Sequence, residues 1–254
     1  MTDAPAATRS PTRGDSVRTV VRGLGQLLIT VGVVILLFVG YELWGTNFYT
    51  KAQQHKLEQA ITEQWRHGGV PDVSEQHIGD VPLGSGLAVL RVPRFGRGYH
   101  QVIVEGTGYE DLKRGPGHYP ETALPGQVGN FAVAGHRTTY GAPFNKIDQL
   151  RRGDAIVLET KSMWFTYTVQ DTNAAGVYPA VPFQEIVDPT TVTVAYAVPD
   201  QPDPGAKPTR KMLTFTSCNP KYSAAQRIVV HAVLTDTSRK SGGELPPALT
   251  APVS

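Results

Sequence analysis

The stretch KMLTFTSC, residues 211–218, decides the fold because its apolar and polar side chains alternate as they do in a half-buried β-strand. Side chains on a strand point alternately to its two faces. One face carries Leu213, Phe215 and Ser217, and the more polar face carries Met212, Thr214, Thr216 and Cys218. Asn219 and Pro220 follow as a turn, so the sequence places Cys218 at the end of the strand.

A second strand, QRIVVHAVLT at residues 226–235, follows after a short loop, and we expect the two strands to pair as a hairpin. This pairing places Arg227, at the start of the second strand, beside Cys218. A guanidinium next to a thiol could bind a carbonyl or stabilise an oxyanion, whereas a surface arginine or a buried ion pair is the simpler interpretation. His231 lies four residues further, about 13 Å along the strand, and is predicted to be too far from the thiol.

Other short apolar runs predict the rest of a mostly β fold. They lie at residues 87–92, 100–105, 130–135, 154–159, 163–170 and 191–198. With the hairpin they make eight strands joined by short turns, which is typical of a barrel or a sandwich. Short helices are predicted around residues 109–113 and 144–150.

The N-terminal part contains one long apolar segment. Residues 24–41, LGQLLITVGVVILLFVGY, carry no charge and extend to residue 44 if Glu42 lies at an interface, which is enough to span a bilayer. The length and the absence of a cleavage site favour an uncleaved signal-anchor over a signal peptide or a buried core helix. The arginines at positions 9, 13, 18 and 22 predict a cytoplasmic N-terminus.

These features divide the chain into five predicted parts. They are a cytoplasmic tail at 1–23, a transmembrane anchor at 24–44, a juxtamembrane stalk and connector at 45–83, an extracytoplasmic β domain at 84–237, and a tail at 238–254. The stalk contains a helix predicted at residues 50–67. The final segment is rich in Gly, Pro and Ser and is predicted to be disordered.

Composition excludes several classes of protein. The chain has 24 basic and 22 acidic residues, which is too balanced for a nucleic-acid binder, and its 40% hydrophobic content is too high for disorder. A single cysteine excludes an internal disulfide framework and any zinc or iron–sulfur site that needs several thiolates. We expect no cofactor, no metal and no nucleic-acid partner.

The lone cysteine needs an explanation. A single cysteine is more often an inert buried side chain, but an exported thiol at a strand end on a polar face is placed to react. A thiol nucleophile also needs a proton partner. His136 follows the apolar strand FAVAG and opens a polar loop, while His118, in the run GPGHYP at residues 115–120, is the main rival and could line the same groove.

Three separated motifs resemble those of sortases. TFTSC at residues 214–218, followed by Arg227, resembles the family's T-L-x-T-C…R signature, and AGHR at 134–137 is similar to its strand-end motif. GPGH at 115–118, with LPG at 124–126 and GN at 129–130, is similar to a run common in these enzymes. The resemblance covers about residues 84–235. Phe215 replaces the usual leucine and Ser217 the usual threonine.

The resemblance implies an eight-stranded β-barrel and a membrane-anchored cysteine transpeptidase. Cys218 would attack the Thr–Gly bond of a C-terminal sorting signal on a secreted protein, and the amine of a peptidoglycan precursor would resolve the thioacyl intermediate. His136 would act as acid and base, and Arg227 would orient the carbonyl or stabilise the oxyanion. The candidates for substrate contact are Thr216, Ser217, His118 and Tyr119.

The subclass most similar is class E of high-GC Gram-positive bacteria, which favours LAXTG over LPXTG signals, with classes D and F as alternatives. The loop at residues 199–210 corresponds to a wall of the family's substrate groove. Two other functions stay open. One is an L,D-transpeptidase, although its cysteine follows a glycine and here Ser217 precedes Cys218. The other is a membrane-tethered binding module with a structural cysteine.

Overall fold

The computed structural model describes residues 13–41, 46–67, 71–170, 181–201, 203 and 205–252. The chain forms two compact units, Met1–Gly45 and Thr46–Ser254. Its helices are α1 (Arg13–Gly40), α2 (Thr46–Arg66), α3 (Tyr109–Leu112) and α4 (Pro247–Thr250). Its strands are β1 (Gly86–Arg91), β2 (His100–Glu105), β3 (Gly117–His118), β4 (Gly129–Ala134), β5 (Ala155–Glu159), β6 (Met163–Val169), β7 (Gln184–Val187), β8 (Lys211–Asn219) and β9 (Gln226–Arg239).

Eight of the described strands close into a β-barrel, in the order β6-β5-β1-β2-β3-β4-β8-β9, because β9 pairs back with β6. β9 has 14 residues and can therefore serve three neighbours. It pairs with β8 along most of its length, with β7 near its start, and with β6 from Ala232 onward. Closure satisfies strand edges that would otherwise be open, and it confirms the predicted barrel over the sandwich.

The strand predicted at residues 191–198 is wrong. Val192–Ala195 form a short 3₁₀ turn instead, and the strand that pairs with β9 in this region is β7. The alternating β-branched residues gave a strong β pattern, but Asn130 donates its amide to the carbonyls of Val194 and Tyr196 at 3.2 and 3.1 Å. A buried side chain therefore takes the place of a strand partner for this backbone.

β8 has one face inside the barrel and one face outside it, and the alternation of apolar and polar residues predicted which side chains lie on each. Leu213 and Phe215 belong to the main core, and Phe144 packs against Phe215 with ring centroids 4.5 Å apart. On the other face, the Thr214 hydroxyl donates to Asn130 at 2.8 Å. Thr214 and Thr216 are both buried, because the segment around Val194 covers this face. The polar face is thus mostly shielded until the strand reaches Cys218, which is partly exposed.

α2 packs on the barrel, in the region predicted as a stalk. Leu57 and Ile61 are buried against Val89, Val102 and Val104 of β1 and β2. The side-chain amide of Gln54 bonds to both backbone groups of Val102, accepting at 2.6 Å and donating at 3.0 Å. A side chain that mimics a strand partner in this way fixes the helix to the sheet. The compact unit therefore begins at Thr46.

α1 is long and apolar enough to cross a membrane. The candidate span is Arg18–Gly40, 23 residues with a mean hydropathy of 2.3, and its side chains are not buried within the protein. This helix contains most of the anchor predicted at residues 24–44. Residues 1–12 of the predicted tail and residues 42–44 lie outside the described residues.

The C-terminal segment continues the barrel further than the sequence predicted. β9 runs to Arg239, and α4 forms one helical turn. Between them, the ammonium of Lys240 donates to Glu159 at 2.7 Å and lies 4.5 Å from the ring centre of Trp65. An ion pair and a cation–π contact at Lys240 stabilise this stretch against the wall of the barrel.

Candidate active site

The end of β8 brings Cys218 and Arg227 together. The two residues pair directly in the antiparallel ladder between β8 and β9, as the sequence predicted. Directly opposite residues present their side chains on the same face. Nη1 of Arg227 donates to the carbonyls of Ala224 and Gln226, each at 3.0 Å. Within the described part of the chain, the Arg227 guanidinium makes these two hydrogen bonds. Its Nε and Nη2 are therefore available to bind a substrate oxygen.

His136 reaches the same level from the other side of β8. β4 and β8 are parallel and in register from Gly129–Lys211 to Ala134–Thr216. Continued by two residues beyond its last pair, this register brings His136 level with Cys218. Two hydrogen bonds continue the alignment past the last ladder pair. Gly135 N donates to Thr216 O at 3.1 Å, and the Ser217 hydroxyl donates to Gly135 O at 2.7 Å.

The imidazole of His136 is half-buried. Burial lowers its pKa from the ordinary value of 6.5, because a charged ring is less well solvated there. Its Nε2 is buried and has no hydrogen-bond partner among the described residues. The ring packs against Tyr140 with centroids 5.2 Å apart. At neutral pH the environment therefore favours a neutral imidazole that has one nitrogen available for proton transfer.

The loop after His136 is held in a tight conformation. Tyr140, Gly141 and Ala142 all have positive φ values, of 49°, 75° and 43°. Non-glycine residues adopt this region at a cost, so surrounding contacts must support it. Asn47 of α2 accepts a hydrogen bond from Gly141 N at 2.9 Å, and Phe144 N donates to His136 O at 3.0 Å. The position of His136 thus depends partly on α2.

A groove of about 650 Å³ lies along the polar face of β8, on the Arg227 side. One wall comes from residues 119–122, and the other from Val187 and residues between Pro189 and Ala197. Thr216 and Arg227 also line the groove. The wall expected from the loop at residues 199–210 comes instead from the segment just before it. Most lining groups are apolar, which suits an extended peptide with aliphatic side chains.

Two of the four predicted substrate-contact residues line this groove. The hydroxyls of Tyr119 and Thr216 lie 3.0 Å apart and form a hydrogen bond. Thr216 is two residues before Cys218 and therefore on the same face of β8. Tyr119 and Thr216 are thus among the polar residues of a mostly apolar groove, which also includes Arg227, the ladder partner of Cys218.

The other two candidates lie inside the protein. Ser217 is buried on the core face, and its hydroxyl is bound to Gly135 O. His118 is fully buried, with Nδ1 2.7 Å from Glu105 and Nε2 2.8 Å from the Thr122 hydroxyl. The side chains of Ser217 and His118 therefore lie behind the wall of the groove and do not line it. These positions also remove His118 as a rival to His136 for the thiol.

His231 belongs to a separate polar cluster. Its Nδ1 lies 2.9 Å from Thr214 Oγ1 and its Nε2 3.0 Å from Glu185 Oε1, so both ring nitrogens are engaged. Glu185, Asp200 and His231 are the one group of metal-ligating atoms that lie within 4.8 Å of one another in the described part of the chain. The hydrogen bonds of His231 account for its two ring nitrogens without an ion.

The pKa values of the two carboxyl groups of this cluster shift in opposite directions. Burial and the neighbouring Glu185 raise the pKa of Asp200. Burial would also raise the pKa of Glu185, but its hydrogen bond and charge interaction with His231 outweigh this effect and lower it. The Thr193 hydroxyl donates to Asp200 at 3.2 Å. The cluster thus attaches the segment behind the groove wall to β7 and β9.

The groove residues between Val187 and Ala197 carry little signal in the sequence. Val187 lies on a four-residue, half-exposed strand, and Val192 lies in the segment predicted as a regular strand. A short strand with little apolar alternation carries no clear periodic signal. The sequence did signal the wall indirectly, because a buried Asn130 in an apolar strand requires polar partners. Thr214 of the neighbouring strand β8 satisfies its side-chain oxygen, and the segment around Val194 accepts from its side-chain nitrogen.

Comparison with known proteins agrees with this geometry. A family model described as "Sortase domain" matches residues 90–235. Sortase SrtE1 of Streptomyces coelicolor is 34% identical over 240 residues, which make up 91% of this chain and 61% of that protein. The chain therefore spans less than two thirds of the length of this relative.

Solved structures give the same result. The SrtF sortase from Corynebacterium diphtheriae superposes with a TM-score of 0.63 and is 36% identical, covering 70% of this chain and 98% of its own. Sortase E from Streptomyces avermitilis has a TM-score of 0.55 and is 39% identical, covering 66% of this chain and 99% of its own. The barrel, the motifs and these matches agree: the chain belongs to the sortase family and is similar to sortase E proteins of Streptomyces.

Proposed function

We propose that the protein is a membrane-anchored cysteine transpeptidase that cleaves a C-terminal sorting signal between Thr and Gly and joins the secreted protein to a cell-wall amine. One observation carries this proposal. The single cysteine lies at the partly exposed end of β8, paired with Arg227 and level with His136, where an apolar groove approaches it. We therefore assign Cys218 as the nucleophile, His136 as the proton carrier and Arg227 as the fixed cation that acyl transfer requires.

In the first half-reaction the sulfur of Cys218 attacks the threonyl carbonyl carbon. Arg227 has guanidinium nitrogens available to donate to the carbonyl oxygen as negative charge develops on it. His136 takes the thiol proton and gives it to the leaving glycine nitrogen, so the peptide C–N bond breaks and a thioester remains. Because burial lowers its pKa, the neutral ring is present at pH 7 to accept this proton.

In the second half-reaction an amine enters in place of the glycine. The amine nitrogen attacks the thioester carbonyl, His136 accepts a proton from it, and the C–S bond breaks. The thiol is regenerated when that proton returns to sulfur. One peptide bond is broken and one is formed, so no cofactor is needed for the balance. Water as the second nucleophile would give hydrolysis instead.

The groove supports a signal of the LAXTG or LPXTG type. Its apolar walls, which include Val192 and Val194, suit the aliphatic side chain at the first position of the signal. Similarity to sortase E proteins favours alanine over proline at the second position. Tyr119 and Thr216 both line the groove, and we propose them as contacts for the peptide backbone.

The cellular arrangement follows from α1. Arg18–Gly40 is long enough to cross the apolar part of a bilayer at 1.5 Å per residue. Arginines before and at the start of the span, with few basic residues after it, favour a cytoplasmic N-terminus and an extracytoplasmic barrel. A reporter enzyme fused after residue 254 should be active only outside the cytoplasm. Activity inside the cell would reverse this orientation.

The activity is tested with the full chain in detergent micelles and a fluorogenic peptide library that varies the second position of the signal. We expect cleavage between Thr and Gly, fastest with alanine at that position. Cys218→Ala should abolish turnover, and Cys218→Ser should keep the shape and polarity of the site but lose nearly all activity, because a serine hydroxyl is a much weaker nucleophile. Turnover that survives in Cys218→Ala would overturn the proposal.

A binding module with a structural cysteine makes the opposite prediction. Its thiol would resist iodoacetamide in the folded protein, and a sorting peptide would bind without being cut. Cys218 is partly exposed and is expected to be alkylated once per chain. Labelling of the folded protein, followed by mass spectrometry, separates the two functions.

A further inference from the structure

Arg137, the residue after His136, is buried in contact with the end of β8. Its side chain is 5% exposed. Nη1 donates to the carbonyl oxygen of Cys218 at 3.2 Å and to Oδ1 of Asn219 at 2.6 Å. Nη2 lies 3.2 Å from Oδ1 of Asp148. A buried guanidinium is costly unless it is paired and hydrogen-bonded, so these contacts fix Arg137 in one place.

The backbone alone does not hold the two reacting side chains together. The ladder between β4 and β8 stops at the pair Ala134–Thr216, and its last backbone hydrogen bond runs from Gly135 N to Thr216 O. His136 and Cys218 both lie past this point. The contacts from Arg137 to Cys218 and Asn219 extend the connection between the two strands by one further step, through a side chain instead of the main chain.

The loop that carries His136 is itself closed around Arg137. The Asn145 amide donates to the carbonyl of Arg137 at 2.9 Å, and Lys221 lies 3.4 Å from the same Asn145 side chain. Lys221 follows β8, in the loop after Cys218. The loop after His136 is therefore joined to the segment that follows Cys218 by two sets of contacts. The Arg137 guanidinium makes the buried set, and the Asn145–Lys221 pair makes the other.

We propose that Arg137 is a positioning residue that holds the Cys218 end of β8 in register with His136. The inference rests on the proposed function, because it concerns proton transfer between the thiol and the imidazole. Arg137 contacts a backbone carbonyl and an amide oxygen, and no reacting atom. Its effect on rate comes from geometry, since a displacement of about 1 Å between reacting groups can cost about 100-fold in rate.

This role predicts a particular kinetic pattern. Arg137→Ala removes both contacts to β8, and we expect kcat for peptide cleavage to fall about 100-fold, with KM nearly unchanged. KM is preserved because the groove residues Tyr119 and Thr216 are held by other contacts. Arg137→Lys keeps the charge but loses the planar fork, so it should restore only part of kcat.

A matched control comes from another buried arginine of the barrel. Nε of Arg94 donates to Asp154 at 2.8 Å, and the two side chains are 15% and 6% exposed. Neither residue touches the candidate site. Arg94→Ala should lower the melting temperature, as Arg137→Ala does, but leave kcat unchanged. The comparison separates loss of positioning from loss of stability.

The experiment measures kcat, KM, melting temperature and the rate of iodoacetamide alkylation for the full chain, the two Arg137 variants, Arg94→Ala and Cys218→Ala. Chemical rescue is measured by adding millimolar guanidinium ion, which can occupy the space left in Arg137→Ala. We expect alkylation close to wild type, kcat reduced in both Arg137 variants, and partial recovery of kcat in Arg137→Ala with guanidinium.

The outcomes are distinguishable. If wild type cleaves the peptide, Cys218→Ala does not, and both Arg137 variants keep the wild-type kcat, the positioning role is overturned while the proposed function stands. If Arg94→Ala and Arg137→Ala lose kcat equally, the loss reflects stability and the positioning role is overturned as well. If wild type shows no cleavage at all, the proposed function itself is wrong.

Discussion

His118 lies in β3 and His136 lies just after the neighbouring strand β4, yet their surroundings differ in one decisive respect. His118 lies in β3, is fully buried, and has both ring nitrogens within hydrogen-bond distance of protein oxygens. His136 follows β4, is half-buried, and its buried Nε2 has no partner among the described residues. Both occur in motifs typical of the family, so the sequence offered them as rivals.

The difference shows how a histidine is assigned to structure or to chemistry. A ring with both nitrogens bonded has its tautomer and orientation fixed, and moving its proton would break a buried hydrogen bond. A ring with one nitrogen left unpaired can accept a proton without that loss. The comparison predicts that His136 variants lose activity and keep stability, whereas His118 variants do the reverse.

The largest expected effect is on the activity of His136→Ala. Loss of a general acid–base group should lower kcat/KM for a sorting peptide by about 10²–10⁴-fold. The melting temperature should change little, because Nε2 of the ring makes no hydrogen bond to any residue that the structure describes. Steady-state cleavage kinetics and thermal unfolding of the full chain check this. A variant that loses stability but keeps kcat/KM would reverse the assignment.

The next effect is on the stability of His118→Leu. This change leaves the carboxylate of Glu105, which is 2% exposed, without its imidazole partner. Breaking a buried polar pair on one side costs about 3–5 kcal/mol in the free energy of unfolding. Denaturant unfolding should show this loss, while kcat stays near wild type.

A double variant sharpens this result. Replacing both members of the pair, in Glu105→Leu/His118→Leu, leaves no buried charge without a partner and should recover much of the lost stability. If the double variant is less stable than His118→Leu, the pair does not act as a unit. If His118→Leu loses activity out of proportion to its stability, the contrast between the two histidines fails.

His231 extends the comparison to a third histidine and a smaller effect. Both of its nitrogens are engaged, by Thr214 and Glu185, so we group it with His118. His231→Leu should lower the free energy of unfolding by about 1–3 kcal/mol, because the two partners lose a hydrogen bond but Glu185 keeps access to water. Chemical denaturation measures the loss, and kcat should remain near wild type. A kcat loss as large as that of His136→Ala would contradict the grouping.

The smallest effect is a shift in titration. Burial lowers the pKa of His136, so NMR should find it below 6.5. The folded protein then binds fewer protons than the unfolded chain at this site. The stability that the neutral His136 ring contributes is therefore fully present above pH 6.5. It is lost as the pH falls through the pKa of His136 in the folded protein.

Cys218→Ala is the control for the cause of this shift. Burial acts in the variant as it does in wild type, so the pKa of His136 should remain lowered. A stable thiolate–imidazolium pair would instead raise the pKa of His136 in wild type and not in the variant. A wild-type pKa above 6.5 would therefore contradict a neutral resting imidazole.

Much of this arrangement could be predicted from sequence because it depends on periodic strands. The alternation in residues 211–218 and the short loop that follows fixed the hairpin, and the hairpin register paired Cys218 with Arg227. The strand before His136 was equally clear, since FAVAG is apolar and ends at a polar loop. Strands of this kind carry their own signal.

The rest depends on contacts that no local pattern encodes. His118 was a candidate for the groove, but the two-residue strand β3 places its ring inside the protein. Val192–Ala195 alternate like a strand, yet Asn130 takes the backbone carbonyls of that segment. Which face a side chain occupies at these places is set by distant residues, and propensity is overridden.

The central claim is that Cys218 becomes acylated during turnover. Wild-type protein is mixed with an LAXTG peptide without added amine, quenched in acid, and measured by intact-mass and peptide-mapping mass spectrometry. The account predicts an adduct equal to the peptide up to threonine, on Cys218, cleared by an added amine. Cleavage with no adduct on Cys218, or with an adduct on another residue, would contradict it.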